Sequence, residues 1–252
     1  MSENMPVLKE PAKKRRGSRK LLIVLFLLFL VLLAVLFFNS SISKIEEVQI
    51  VGAKLATNAE VAGAAAVAAG DAFFGTTSST IEKRVEKLPQ VEQATVNKVF
   101  PGVVQITVQE YPIVAFELSP KGELTALLSN GTSIASKIEA MLVADKPVLT
   151  GWAAKDKVKV SLMKQLGKIP VKQLSDLSEI IPDPSKAYPD RIKIYTRTKF
   201  EVITSVAVLP EKIEALNAVI ETQEPGRITM LLADTYVPFN SGNLEDEESD
   251  SE

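Results

Sequence analysis

The alternation of apolar and polar side chains divides this chain into one continuous greasy stretch and a long periodic remainder. Residues 21–38 (LLIVLFLLFLVLLAVLFF) carry no charge and no hydrogen-bonding side chain. A helix rising about 1.5 Å per residue would span about 27 Å here, close to the roughly 30 Å hydrocarbon core of a bilayer. A helix also pairs its own backbone groups where no water can do so. The pattern therefore predicts a transmembrane helix over 21–38. A cleaved signal peptide has a shorter apolar region, about 7–15 residues, closed by an A-x-A-like site. Only the small-residue pair Ser41 and Ser43 follows this run, so it is expected to stay as an anchor.

Past the anchor the pattern becomes periodic. Residues 44–51 alternate, with Val48 and Ile50 on one face, and close at Gly52, which predicts a short strand. Thr57 and Glu60 have capping-box spacing and open a small-residue helix over 58–69, with Gly70 suited to its C-terminal end. Ser79 and Glu82 repeat the box before a helix over 80–88, where Ile81, Val85 and Leu88 form one stripe and Pro89 stops it. Two strands follow, 91–99 and 103–110, joined through Pro101 and Gly102. In the second, Val104, Ile106 and Val108 alternate with polar residues. The order is β-α-α-β-β.

The rest predicts a second mixed unit. Strands are expected over 113–118 and 123–128, with a turn at 119–122, and Asn130-Gly131 signals a hairpin into 132–135. Val158, Leu162 and Leu166 mark a helix over 158–166, ended by Gly167 and Pro170. A strand over 177–181, a proline-rich connection, and a hairpin of 191–196 with 199–205 come next. Pro210 opens a helix to about residue 221, and Pro225-Gly226 turns into a final strand over 227–234.

Charge changes the picture at the two ends. Residues 1–20 hold seven basic and two acidic side chains, and the last twelve residues hold six acidic ones. Both tails lack apolar periodicity and are expected to be disordered. The basic excess before the anchor places the N-terminus in the cytoplasm and the bulk outside the membrane. Attraction to anionic lipid, about 1 kcal/mol per basic residue near the surface, explains that block without nucleic acid. The chain contains no cysteine and no histidine. Disulfides, thiolate metal sites and Cys nucleophiles are thereby excluded, as are the commonest general base and metal ligand.

The segment 88–115 carries a specific pattern, LPxVxxAxVxxxFPxxxxIxVxExPxxA, which fixes two prolines and a Glu-x-Pro junction around the strand pair. Together with IEEVQIVG and the capped helix to Gly70, the run 44–115 resembles a POTRA domain. A short basic tail, one anchor and a POTRA domain directly outside it resemble the FtsQ/DivIB family of bacterial division proteins. Pro147–Gly151 is similar to that family's LPxLxG stretch, whereas Tyr111 stands where the family often has a basic residue. The resemblance implies an α+β architecture: a single transmembrane helix, a β-α-α-β-β POTRA domain, and a second mixed α/β domain with a largely antiparallel sheet. The corresponding boundaries are 1–20 for the tail, 21–38 for the anchor, 43–113 for the POTRA domain, 114–240 for the C-terminal β domain and 241–252 for the acidic tail. It further implies a divisome scaffold at the septum that holds FtsL-type and FtsB/DivIC-type single-pass proteins and acts indirectly on the septal wall synthase.

Catalytic alternatives find little support in the residues. Phosphate-binding glycine spacings are absent, and Glu46–Glu47 and the pair Asp183/Asp190 are expected to be solvated. Ser161 and Lys164 match S-x-x-K, the spacing of a Ser/Lys peptidase, but lie on the expected solvent side of their helix without S-D-N or K-T-G partners. No catalytic residue, metal ligand, cofactor or small-molecule substrate is expected. The other alternative is an anchored POTRA protein that handles exported polypeptides. A binding site is expected at the last strand, as a sheet edge open to another chain. There Ile228, Met230 and Leu232 would face the core, Thr229 and Leu231 the partner, and Tyr236 and Phe239 would serve as aromatic anchors.

Overall fold

A computed structural model describes residues 19–118, 124–135 and 145–239. The expected acidic tail, most of the basic tail and the turn expected at 119–122 lie outside the described residues. Helix α1 (Arg19–Asn39) contains the whole apolar run and buries none of it against the protein, and its length and composition suit a membrane span. Its C-terminal end runs straight into the folded unit. A single 3-10 turn, Ser41–Ser43, follows, and the buried Ser43 hydroxyl donates to the carbonyls of Phe38 (2.8 Å) and Ser40 (2.9 Å). Phe73 N–H then donates to Ser43 C=O at 2.8 Å, and Ile45 N–H to Asp71 C=O at 2.8 Å.

The β-α-α-β-β unit comprises β1 (Glu47–Val51), α2 (Asn58–Ala65), α3 (Ser78–Val85), β2 (Val91–Val99) and β3 (Val103–Glu110). Its three strands run in the order β1-β3-β2, with β1 parallel and β2 antiparallel to the central β3. The predicted alternation holds: Val104, Ile106 and Val108 are buried with Ile81 and Val85, and Val48 and Ile50 pack against them half-buried. The strand begins at Glu47, three residues later than expected. Residues 44–46 instead make separate backbone links to the loops around Asp71 and Gly102.

Both helix readings need correction at an end. The capping box of Thr57 with Glu60 is present. However, α2 stops at Ala65, with Ala66 taking the left-handed cap position (φ 50°) in place of Gly70. The chain must turn there because Gly70 N–H bonds to Ile45 C=O at 2.7 Å. For α3 the cap is Thr77, not Ser79, since the Glu82 carboxylate is engaged by the N–H of Val96 on β2 at 2.9 Å. The β2–β3 turn has a cis Phe100–Pro101 peptide, and Gly102 (φ 77°) lets the incoming chain approach closely. A Cβ there would lie 2.9 Å from Lys44 C=O.

The second unit is a nine-stranded sheet. Its strands are β4 (Ile113–Leu118), β5 (Leu124–Leu128), β6 (Ser133–Ala135), β7 (Val148–Leu149), β8 (Leu177–Pro182), β9 (Arg191–Thr196), β10 (Glu201–Ser205), β11 (Gly226–Met230) and β12 (Asp234–Pro238). They lie in the order β12-β11-β10-β9-β8-β7-β4-β5-β6, and pairing is mostly antiparallel, with parallel contacts at β4–β7, β7–β8 and β10–β11. Helices α4 (Lys157–Leu166), α5 (Val171–Leu174) and α6 (Leu209–Thr222) cover one face. Leu162, Leu166, Ile213 and Leu216 meet Ile180, Ile192, Ile194, Val202 and Ile228 there. This core is separate from that of the first unit. Only Tyr111 and Pro112 join β3 to β4, and Asn130 Nδ2 donates across the joint to Pro89 C=O at 3.0 Å.

The single final strand expected over 227–234 is in fact two. β11 ends at Met230, the chain bends through Leu231–Ala233, and β12 returns antiparallel. Leu232, expected to face the core, is 93% exposed in that bend.

Candidate partner-binding edge

β11 is fixed between β10 and β12, so of the two edge strands, β12 and β6, the one formed by the end of the described chain is β12. Gly226 makes the close approach of these two strands possible, because a Cβ there would sit 2.4 Å from Val237 C=O and 2.7 Å from the Tyr236 ring. The register pairs Arg227 with Val237, Ile228 with Tyr236 and Thr229 with Thr235, and Phe239 N–H reaches Pro225 C=O at 3.2 Å. In an antiparallel ladder inward and outward bonding alternate along the strand. Residues 235, 237 and 239 therefore bond towards β11, which directs the N–H and C=O of Tyr236 away from it.

The side chains sort by the same alternation. Tyr236 shares the helix-covered face with Ile228 and packs half-buried on Phe200, ring centroids 6.4 Å apart. Its hydroxyl donates to Glu224 C=O at 2.7 Å, so this ring ties β12 to the end of α6. Asp234 is held by Lys212 of α6 at 2.8 Å. On the opposite face lie Arg227, Thr229, Thr235 and Val237. Arg227 and Lys193 both pair with Glu201 there, at 3.1 and 3.2 Å.

The structure thus scatters the four expected partner-binding residues. Thr229 is interior to the sheet and faces away from Tyr236, Leu231 sits in the bend, and Phe239 follows the strand with its ring exposed. Val237, exposed on the edge strand, is not among the residues expected at this edge from the sequence. Its signal was the alternation of Thr235 and Val237 against Tyr236, hidden by the merging of two strands into one.

Other candidate chemistry is dispersed. Ser161 and Lys164 are both exposed on α4. Asp183 and Asp190, expected to be solvated, are half-buried with structural partners: Asp183 pairs with Arg191 at 3.1 Å, and Asp190 accepts from Ala207 N–H at 3.1 Å. Lys159, unremarked in the sequence, is 3% exposed and salt-bridged to Glu117 at 2.8 Å. A cleft of about 630 Å³ lies at the joint between the two units, lined by Leu55, Glu110, Tyr111, Phe116 and Lys146 among others. Burial lowers the pKa of the Lys146 ammonium, with Asp145 opposing the shift. Among the described residues no group of His, Cys, Asp and Glu could hold a metal ion.

An apolar helix leading without slack into a β-α-α-β-β unit, and on into a sheet that ends in an open strand, defines a POTRA-bearing chain with one N-terminal anchor-type helix. The family model "POTRA domain, FtsQ-type" matches residues 43–111. The chain is 46% identical over 242 residues to the cell division protein DivIB of Paenibacillus polymyxa, covering 96% of this chain and 95% of that one. It is 26% identical to DivIB of Geobacillus kaustophilus, covering 98% and 94%. Among solved structures, the major extracytoplasmic domain of the trans isomer of DivIB from Geobacillus stearothermophilus is similar at 27% identity and a TM-score of 0.38, over 44% of this chain and 92% of that one. The chain belongs to the FtsQ/DivIB family of cell-division proteins.

Proposed function

We propose that this division protein is a non-enzymatic scaffold, anchored once in the cell membrane with its N-terminus in the cytoplasm and concentrated at the septum. It holds FtsL-type and FtsB/DivIC-type single-pass proteins and acts through them, indirectly, on septal wall synthesis. The observation that carries this reading is the β12 edge: a five-residue strand with one neighbour, its Tyr236 peptide groups directed outward and Val237 and Phe239 exposed beside it. An extended segment of a partner can add there by main-chain hydrogen bonds, with the exposed apolar side chains giving register. Tyr236 supports the strand from within, while Val237 and Phe239 meet the partner.

Affinity capture of the full chain from membranes in mild detergent tests the reading. The Val237→Asp/Phe239→Ser variant changes two exposed side chains, and Arg227 lies opposite Val237 to accept the new carboxylate. We expect recovery of small single-pass proteins to fall at least tenfold with the melting temperature unchanged, and deletion of residues 244–252 to leave recovery intact. Recovery at the unmodified level from the double variant would sink the edge assignment.

A further inference from the structure

Five phenylalanines from separate parts of the chain converge where α1 meets the POTRA domain. The Phe74 ring centroid is 6.2 Å from that of Phe37 and 6.3 Å from that of Phe38. Phe73 lies 5.1 Å from Phe74 and 6.0 Å from Phe100, and Phe74 lies 6.3 Å from Phe100. Phe73 is buried in the POTRA core, but Phe74 is 55% exposed, Phe100 51% and Ile42 51%. These outward side chains are not on a loose tip. Lys98 spans the loop beneath them, with Nζ 4.7 Å above the Phe73 ring and bonded to the carbonyls of Phe73 and, at 2.7 Å, Thr76.

We propose that Phe74, Phe100 and Ile42 form a membrane-seating patch through which the POTRA domain rests in the lipid of the leaflet that α1 leaves. Two physical arguments commit the patch to lipid. The first is depth. Phe37 and Phe38 are the last apolar residues of the run, so they lie at the hydrocarbon boundary, and a ring within 6.3 Å of both lies at nearly the same depth. Ser43 leaves no slack for the domain to lift away, because its hydroxyl holds the end of α1 while its carbonyl holds the Phe73 loop. The second is length. The run covers about 27 Å of a roughly 30 Å core, a shortfall that a bilayer meets by thinning or by drawing in flanking apolar groups. Phe74, Phe100 and Ile42 are those flanking groups, and Lys44 and Lys98 beside them suit the headgroup layer. A patch continuous with a membrane span meets lipid before it meets any other partner.

The inference rests on α1 spanning the bilayer, and the test separates the two. The chain has no cysteine, so single cysteines can be placed and spin-labelled without background. The full chain would be reconstituted in phosphatidylcholine vesicles containing phosphatidylglycerol. Labels at Phe74→Cys and Phe100→Cys would be compared with Leu30→Cys, within α1, and Leu232→Cys, which is 93% exposed and far along the chain. Collision with oxygen reports the bilayer, and collision with a soluble nickel chelate reports water. We expect oxygen to be favoured at 30, 74 and 100 and the chelate at 232. Chelate preference at 74 and 100, with oxygen preference kept at 30, overturns the proposal. Exclusion of both reagents at 74 and 100 also overturns it, because a second copy of the chain would then cover the patch. Chelate preference at 30 removes the anchor reading itself and the proposal with it. A label at Thr76→Cys keeps both rings. Adding Phe74→Ser/Phe100→Ser to that variant should lower its oxygen-to-chelate ratio severalfold, and an unchanged ratio counts against the patch.

Discussion

Glu110 shows what the carboxylate at the end of this strand pair does. Its carboxylate accepts from three consecutive backbone N–H groups, Lys54 at 3.1 Å, Leu55 at 2.9 Å and Ala56 at 2.7 Å. These donors belong to the turn between β1 and α2, so one side chain closes the first third of the POTRA domain onto the last. Gly52 completes the closure, since at φ 90° a Cβ would sit 2.3 Å from Val108 C=O. The Glu-x-Pro spacing was visible in the sequence, but its reason was not, because the donors lie more than fifty residues away. Removing a charged acceptor from partly buried donors costs about 1–3 kcal/mol. Glu110→Ala is therefore expected to lower the POTRA domain's unfolding midpoint by that amount in a urea titration, and Glu110→Gln by less. An alanine variant matching the parent would show that water replaces the carboxylate without loss.

At the scale of elements, what could be read depended on punctuation. Capping residues, Asn130-Gly131 and the prolines at 89, 170 and 210 marked ends that the structure reproduces within a few residues. α5 is four residues long, too short to show a period. β11 and β12 were merged because the bend at Leu231–Ala233 contains no glycine, proline or asparagine, and a reversal without such residues leaves no local signal. That merger bears most on the expected partner-binding residues: Tyr236 and Phe239 lie on or beside the edge strand β12, whereas Thr229 lies inside the sheet and Leu231 in the bend. Gly226 offers a test of the edge as an element. Gly226→Ala places a methyl group 2.4 Å from the Val237 carbonyl, which must move. The expected result is faster amide hydrogen exchange confined to β12, with α6 and β10 protected as before. Uniform loss of protection across the sheet would mean that β12 is integral to the core and not an added edge.

At the scale of the molecule, the described residues form two hydrophobic clusters, one under each sheet, linked through two residues. We expect these to be two folding units. Ile106, fully buried in the first cluster, is the probe: Ile106→Asp puts an unpaired charge where it cannot be hydrated, which is strongly unfavourable. Circular dichroism of the full chain should then show the POTRA transition lost and the transition of the larger sheet kept. One common transition, lost as a whole, would contradict two units. The two clusters fall on either side of the Glu-x-Pro junction, where the apolar periods of the sequence restart. The long order of the nine-stranded sheet, with β7 inserted between β4 and β8, was not legible, since no local pattern encodes which strands become neighbours.

The parallel pairing of β1 with β3 has a mechanical consequence. A chain held in a membrane at one end and gripped at its last strand would be under tension between those points. That tension enters the POTRA sheet at the N-terminal end of β1 and leaves by the C-terminal end of β3, which continues into β4 after two residues. With the strands parallel, these exits lie at opposite ends of the shared ladder, which runs from Glu47–Val103 to Val51–Thr107. Pulling therefore shears all of its hydrogen bonds together and does not peel them one by one. The order of the strands makes this small domain a stiff link in the line of force.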